Sequence, residues 1–348
     1  MQRMLSLVTL AGMGAAVWMF LSGGGLNQLA VPPADQPAAG TSAWNNGAGY
    51  QPVTPAPAVQ PTTAGVAAPP LGDGPTIRIA SFNIEVFGKS KAEDTRVFYT
   101  LAEIIRQFHV VAIQEIRTQD DYHMANFVQL VNSTGRKYDY VVGPRIGNST
   151  STEQYAFVFD TERIMIDRTS VFTVGDPDNM MSREPLVASF ATRMPPDSAF
   201  TFTLVNVHIQ PEPVAARDLE LAAMAEVYRE VRRTGRGEDD IIMLGDFNAD
   251  DKKILAHPRL GKLPFVTPLV RGVFSNVRQS ELYDNLIVHL PSTTEYVGRS
   301  GVYNFAQPLN LSPAQAEQVS DHFPVWAEFS AFERDYTGRI ASRGTNAR

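Results

Sequence analysis

The sequence predicts an α/β or α+β sandwich, and three observations carry that expectation. The chain has 348 residues, 44% of them hydrophobic, which is ample for a packed core. Short apolar runs recur along it, and several are apolar on both faces, as strands covered on both sides of a layered fold must be. Two segments instead have a helical period, and they are interleaved with the strands rather than grouped at one end.

Taken in order, the first residues stand apart. After Arg3 the stretch Met4 to Leu21 is uncharged and just long enough for a bilayer span, so the protein is expected outside the cytoplasm. Residues 1–30 read as a cleaved signal peptide or an uncleaved membrane anchor. Ser22-Gly23-Gly24-Gly25 and Leu29-Ala30 are the candidate cleavage sites. Residues 31–75 are rich in Pro, Ala, Thr and Gly and nearly free of charge, the composition of a disordered tether. The folded domain is expected over residues 76–332, and residues 333–348 form a polar tail.

Within the domain the predicted strands are Ile77–Ile84, Val110–Ile116, Tyr138–Val142, Ala156–Phe159, Phe200–His208, Ile241–Leu244, Leu286–Val288 and Pro324–Phe329. Helices are predicted over Thr95–Phe108, with Phe98, Leu101, Ile105 and Phe108 on one stripe, and over Ala215–Arg233, with Leu219, Ala223, Val227 and Val231 on another.

Polar residues cluster where these strands finish. Asn83 closes one strand, Gln114-Glu115 a second and His208 a third; Asp246 and Asn248 follow a fourth, and Ser320-Asp321-His322 precedes the last. One Asp or Asn after a strand is an ordinary turn former. Several strands ending this way point instead to a shared site at the strand ends. Glu115, Asn83, Asp321, Asp246 and Asn248 offer only oxygen ligands, the set for Mg²⁺, Mn²⁺ or Ca²⁺. His208 and His322 supply proton transfer, whereas His109, His123, His257 and His289 read as surface or satisfied core residues. The net charge of −7 argues against a broad basic face, so a polyanionic substrate needs a local site. With no cysteine, disulfides and thiolate metal sites are excluded.

The blocks SFNIEVFG, VVAIQEIR, STEQYAFVF, MSREPLVASF, VNVHIQP, MLGDFNAD, LYDNLIV and VSDHFPV occur in this order. Together they resemble the deoxyribonuclease I family within the endonuclease/exonuclease/phosphatase class. The resemblance covers nearly all of residues 76–332. It implies a four-layer sandwich of two packed mixed β-sheets flanked by helices, and a divalent-metal-dependent phosphodiester hydrolase acting on DNA. It also implies roles: Glu115, Asn83 and Asp321 at a metal, and Asp246 and Asn248 at a second metal or at the attacking water and phosphate. His322 with Asp284, and His208 with Glu153, become acid/base pairs. Arg183 and Arg117 face the substrate, and Tyr155 and Asp250 match family positions near it, with packing or capping as the alternative role for each. No obligate protein partner is implied, and membrane attachment rests on the N-terminal segment alone.

The departures concern duplex binding. Ser151 stands where the family has a groove-packing aromatic, and Glu85 where it has an arginine. Gly175-Asp176-Pro177-Asp178-Asn179 replaces a disulfide-closed loop, and the family's structural calcium loop is not recognisable in Arg271 to Leu282. Two alternatives stay open: a phosphoesterase of the same fold acting on a phospholipid, inositol phosphate or abasic DNA, and a catalytically silent tethered binding domain.

Overall fold

The computed structural model describes residues 74–147, 152–234, 237–264 and 266–334. The export segment, nearly all of the tether, Ser151 and most of the polar tail lie outside the described residues. No helix among the described residues is long and apolar enough to cross a membrane.

The order of elements is β1 (Thr76–Phe87), α1 (Lys89–Glu93), α2 (Thr95–Ile105), β2 (Val110–Ile116), α3 (His123–Asn132), β3 (Tyr138–Val142), β4 (Gln154–Asp160), β5 (Ile164–Thr173) and β6 (Leu186–Thr192). There follow β7 (Thr201–His208), α4 (Val214–Thr234), β8 (Ile241–Asp246), α5 (Asp251–Ala256), β9 (Val266–Pro268), β10 (Asp284–His289), β11 (Tyr296–Val302), α6 (Pro313–Val319) and β12 (Val325–Ser330). They build two mixed six-stranded sheets, ordered β11-β12-β1-β2-β4-β3 and β5-β6-β7-β8-β10-β9.

Side-chain alternation explains the layering. In β7, Phe202 and Leu204 join the core between the sheets, while Val205 and Val207 pack outward with Met224, Val227 and Val231 of α4. β8 repeats this, with Ile242 and Leu244 inward and Ile241 and Met243 outward. Rings from both sheets interlock between them, Phe157 of β4 lying 5.5 Å from Phe190 of β6. α2 and α3 cover the other sheet, where Phe127 meets Phe87 at 5.0 Å and Phe98 at 5.3 Å. The expected four-layer sandwich is therefore the observed fold.

Several local expectations are corrected. β5 is absent from the predicted strands, because its residues are largely exposed and carry no clean apolar alternation. β6, β9, β11 and four short helices are likewise additions to the predicted elements. Leu219 is 58% exposed, so the buried stripe of α4 passes through Glu220, Leu221, Met224, Val227, Tyr228 and Val231. α2 stops at Ile105 rather than Phe108. Of the two core histidines one is satisfied as expected, while His123 keeps a buried Nε2 with no hydrogen-bond partner among the described residues. His109 accepts from the Arg78 N–H at 2.9 Å, and burial pushes it down to about 3, so it stays neutral. His123 packs edge-on to Phe87 at 4.4 Å.

Candidate active site

The strand directions bring the polar strand ends to one place. β1 and β2 run parallel, as do β7 and β8, so their C-terminal ends lie at one end of the sandwich. β4, β10 and β12 are antiparallel to these strands, so their N-terminal ends arrive at the same place. The register sets His208 and Asp284 on either side of Asp246. Gly245 is required here: its φ is +150° and a Cβ would sit 1.9 Å from the Val207 carbonyl oxygen.

Asp246 is the centre. Its Oδ2 lies 3.7 Å from His208 Nε2, 3.8 Å from His322 Nε2 and 3.1 Å from the Asn83 amide nitrogen. Its Oδ1 accepts the Asn248 backbone N–H at 2.9 Å. Asn83 also donates to Glu115 Oε1 at 3.3 Å, while its own side-chain oxygen accepts the Glu85 N–H. Asn83 thus links the two acidic residues, and its oxygen is engaged by the backbone in this conformation. Glu115 Oε2 accepts the Val86 N–H at 2.9 Å and pairs with Arg117 at 3.2 Å. Glu115 and Asn248 both hold positive φ, 62° and 47°, a conformation that costs a non-glycine residue about 1 kcal/mol or more and collects at functional sites.

Each histidine is oriented by a buried carboxylate. His208 Nδ1 is 2.7 Å from Glu153, and His322 Nδ1 is 2.8 Å from Asp284. Both Nε2 atoms therefore face Asp246. Burial works against a charged His322, yet Asp284, Asp246 and Asp321 outweigh it and raise the ring to about 10. His208 is raised in the same way, burial being overcome by Glu153 and Asp246. Burial opposes ionisation of Glu153 too, but His208, Arg183 and Arg117 hold it below the ordinary carboxylate range. Asp246 goes the other way: burial, with Asp284 beside it, pushes it up to about 6 despite both histidines.

Arg183 and Arg117 reach Glu153 at 3.1 and 3.3 Å, and each keeps a buried N–H with no partner among the described residues. Both side chains keep part of their surface open, 26% for Arg117 and 14% for Arg183, and that part suits contact with a phosphate oxygen. Tyr155 is 1% exposed and burial raises its hydroxyl well above the ordinary value. Asp250 caps α5 by accepting the Lys253 N–H at 2.7 Å. The Asp321 carboxylate is half exposed, 3.7 Å from His322 Nε2.

The residues fit a divalent cation. Asp246, Asp284 and His322 offer ligand atoms within 4.8 Å of one another, and the Asp284 and Asp321 Oδ1 atoms are buried without a hydrogen-bond partner. Asp284, read from sequence only as a histidine partner, thus belongs to the acidic centre as well.

Two supporting groups lie beyond the sequence reading. Ser275 donates to Asp284 Oδ2 at 2.6 Å. Glu220 of α4 accepts the Ser182 N–H at 2.9 Å and the Gln210 N–H at 3.1 Å, which ties the loop carrying Arg183 to the segment after His208. A serine in a loop and a glutamate on a helix carry no sequence signal of such roles; only Glu220's place on the buried stripe marks it. Replacing Ser275 with Ala should lower kcat roughly 10-fold, the lower range for losing a group that orients a metal-site residue. An unchanged kcat in the folded variant would show that Asp284 is held without it.

The fold and this arrangement of paired histidines around buried carboxylates define a phosphoester-cleaving class, and residues 80–322 match the Endonuclease/Exonuclease/phosphatase family, to which this chain belongs. Among curated proteins it is 31% identical to deoxyribonuclease gamma of Rattus norvegicus over 265 residues, covering 72% of this chain and 83% of that one. It is 29% identical to deoxyribonuclease-1-like 2 of Mus musculus over 263 residues, 73% and 91% of the two chains. A solved endonuclease/exonuclease/phosphatase family protein of Bacteroides thetaiotaomicron shares the fold with a TM-score of 0.52 at 19% identity, over 73% of this chain and 97% of that one.

Proposed function

We propose that this chain is a divalent-metal-dependent DNA endonuclease of the deoxyribonuclease I type that works outside the cytoplasm. The observation that carries the reading is the pair of histidine–carboxylate dyads aimed from opposite sides at Asp246. Relatives named as deoxyribonucleases, matched over most of both chains, favour DNA over the other phosphoesterase substrates. The uncharged stretch Met4 to Leu21 supports export.

Glu115, Asp246, Asp284 and Asp321 would hold the ion, with Asn83 and Asn248 fixing the carboxylates. A bound divalent ion supplies neutralisation of the phosphate charge and polarises a water molecule. The chain's own groups do the rest. Glu153 and Asp284 accept the Nδ1–H of their histidines, which leaves each Nε2 free toward the substrate. One Nε2 takes the proton of the attacking water as its oxygen bonds to phosphorus. The other, protonated at Nε2, gives that proton to the leaving oxygen as the scissile P–O bond breaks. Arg183 and Arg117 place N–H donors beside the phosphate oxygens.

The test is nicking of supercoiled plasmid by the full chain. Nicking is expected with Mg²⁺ or Mn²⁺, none in EDTA, and recovery when the ion is restored. Undiminished nicking in EDTA would refute the metal requirement. No nicking under any ion, with metal-dependent phosphate release from a phospholipid or sugar phosphate, would reassign the substrate.

A further inference from the structure

A second acidic cluster lies at the other end of the β8 sheet. Asp240 immediately precedes β8, whose opposite end is Asp246, about 20 Å away at the rise of an extended strand. Glu295 ends the connection from β10 to β11, and Glu333 follows β12. One carboxylate oxygen from each of these three residues lies within 4.8 Å of the others.

Two of its three members are buried, and Glu333 is exposed. Asp240 is 2% exposed and Glu295 0%. Asp240 Oδ1 and Glu295 Oε2 have no hydrogen-bond partner among the described residues. The other contacts are backbone N–H groups and two hydroxyls: Arg334 N–H and Thr294 Oγ1 on Glu295 Oε1, Thr201 N–H on Glu333, and the Thr293 hydroxyl beside Asp240. None of the three makes an ion pair with a lysine or arginine among the described residues. Carboxylates this close, two of them buried, repel each other unless a cation or protons intervene. The donors are oxygen only, which selects a hard cation. A groove of about 1010 Å³ lined in part by Asp240 and Glu333 gives an ion access from solvent.

We propose that Asp240, Glu295 and Glu333 form a structural site for a hard divalent cation of the Ca²⁺ kind, separate from the catalytic centre. The ion would pin the segment after β12 to the start of β8 and to the β10–β11 connection. Protons are the competing occupant. Without a cation, burial and the neighbouring carboxylates raise Asp240 to about 9 and Glu333 to about 7.

The experiment compares the metal-free full chain with its Glu295→Gln variant, using Ca²⁺ in equilibrium dialysis and in thermal melts. The catalytic centre is common to both proteins, so the difference reads this cluster. Wild type should bind one more Ca²⁺ per chain. At Ca²⁺ about 100-fold above Kd its Tm should rise by several degrees more than that of the variant. Plasmid nicking at saturating Mg²⁺ should be the same in both. Equal Ca²⁺ stoichiometry, or an equal Tm rise, would overturn the proposal and leave the cluster to protons. Should Glu295→Gln fail to fold, Glu333→Gln at the exposed member gives the same comparison.

Discussion

His322→Ala should lower the rate of plasmid nicking by about 10²–10⁴-fold while the protein stays folded, the range for loss of a general acid or base. His322 Nε2 lies 3.8 Å from Asp246 and its Nδ1 is committed to Asp284, so its loss removes the oriented proton-transfer group on that side. His208→Ala should cost as much on the opposite side, where Nε2 is 3.7 Å from Asp246. The dyads also predict how losses combine. Asp284 acts on the proton through His322 and also stands at the ion, so His322→Ala/Asp284→Asn should lose more than His322→Ala but less than the sum of the two single losses, as groups acting as a unit are not additive. A near-normal rate in either histidine variant would remove that residue from the chemistry. Full additivity of the double variant would place Asp284 at the metal alone.

The metal-free protein should lose stability as pH rises from 6.5 to 10. The His322 ring titrates at about 10 in the folded chain against an ordinary 6.5. Its contribution is therefore complete below pH 6.5 and disappears as pH climbs through 10. Burial works against that charge, but the Asp284, Asp246 and Asp321 carboxylates around it prevail. At about 1.4 kcal/mol for each tenfold change in proton affinity, the loss has an upper bound of about 5 kcal/mol. Asp246 slopes the same way at lower pH: held at about 6 rather than 3.8, it costs stability as it ionises between those values. Melts in EDTA across this range check the prediction. His322→Gln should flatten the part due to the ring, and a wild-type Tm that rises with pH would contradict it. Saturating Mg²⁺ should shrink the slope, since a cation takes over balancing the same carboxylates.

Much of the site was legible because strand ends are local. Asn83, Glu115, His208, Asp246 and His322 each follow or precede an apolar run, and a strand carries its terminal residue to the sheet edge wherever it goes. Ser275 and Glu220 were not legible, because they act on neighbours distant in sequence through loop and helix positions that look ordinary. β5 escaped for a related reason: with much of its surface open to water, its sequence has no burial period to read. The stripe of α4 was misplaced at Leu219 because a helix with apolar residues at adjacent positions leaves its facing angle to the sheet beneath.

The sequence by itself determined the layered α/β class, the long strands, the polar residues that close them and the family. It does so through apolar periodicity and short contiguous blocks, which need no partner to be read. Only the tertiary structure decided that two parallel strand pairs and three antiparallel strands converge on Asp246, that each histidine has its own buried carboxylate, and that Asp240, Glu295 and Glu333 meet at the far end. Those are distances between residues far apart along the chain, fixed by strand register and by the packing of one sheet on the other.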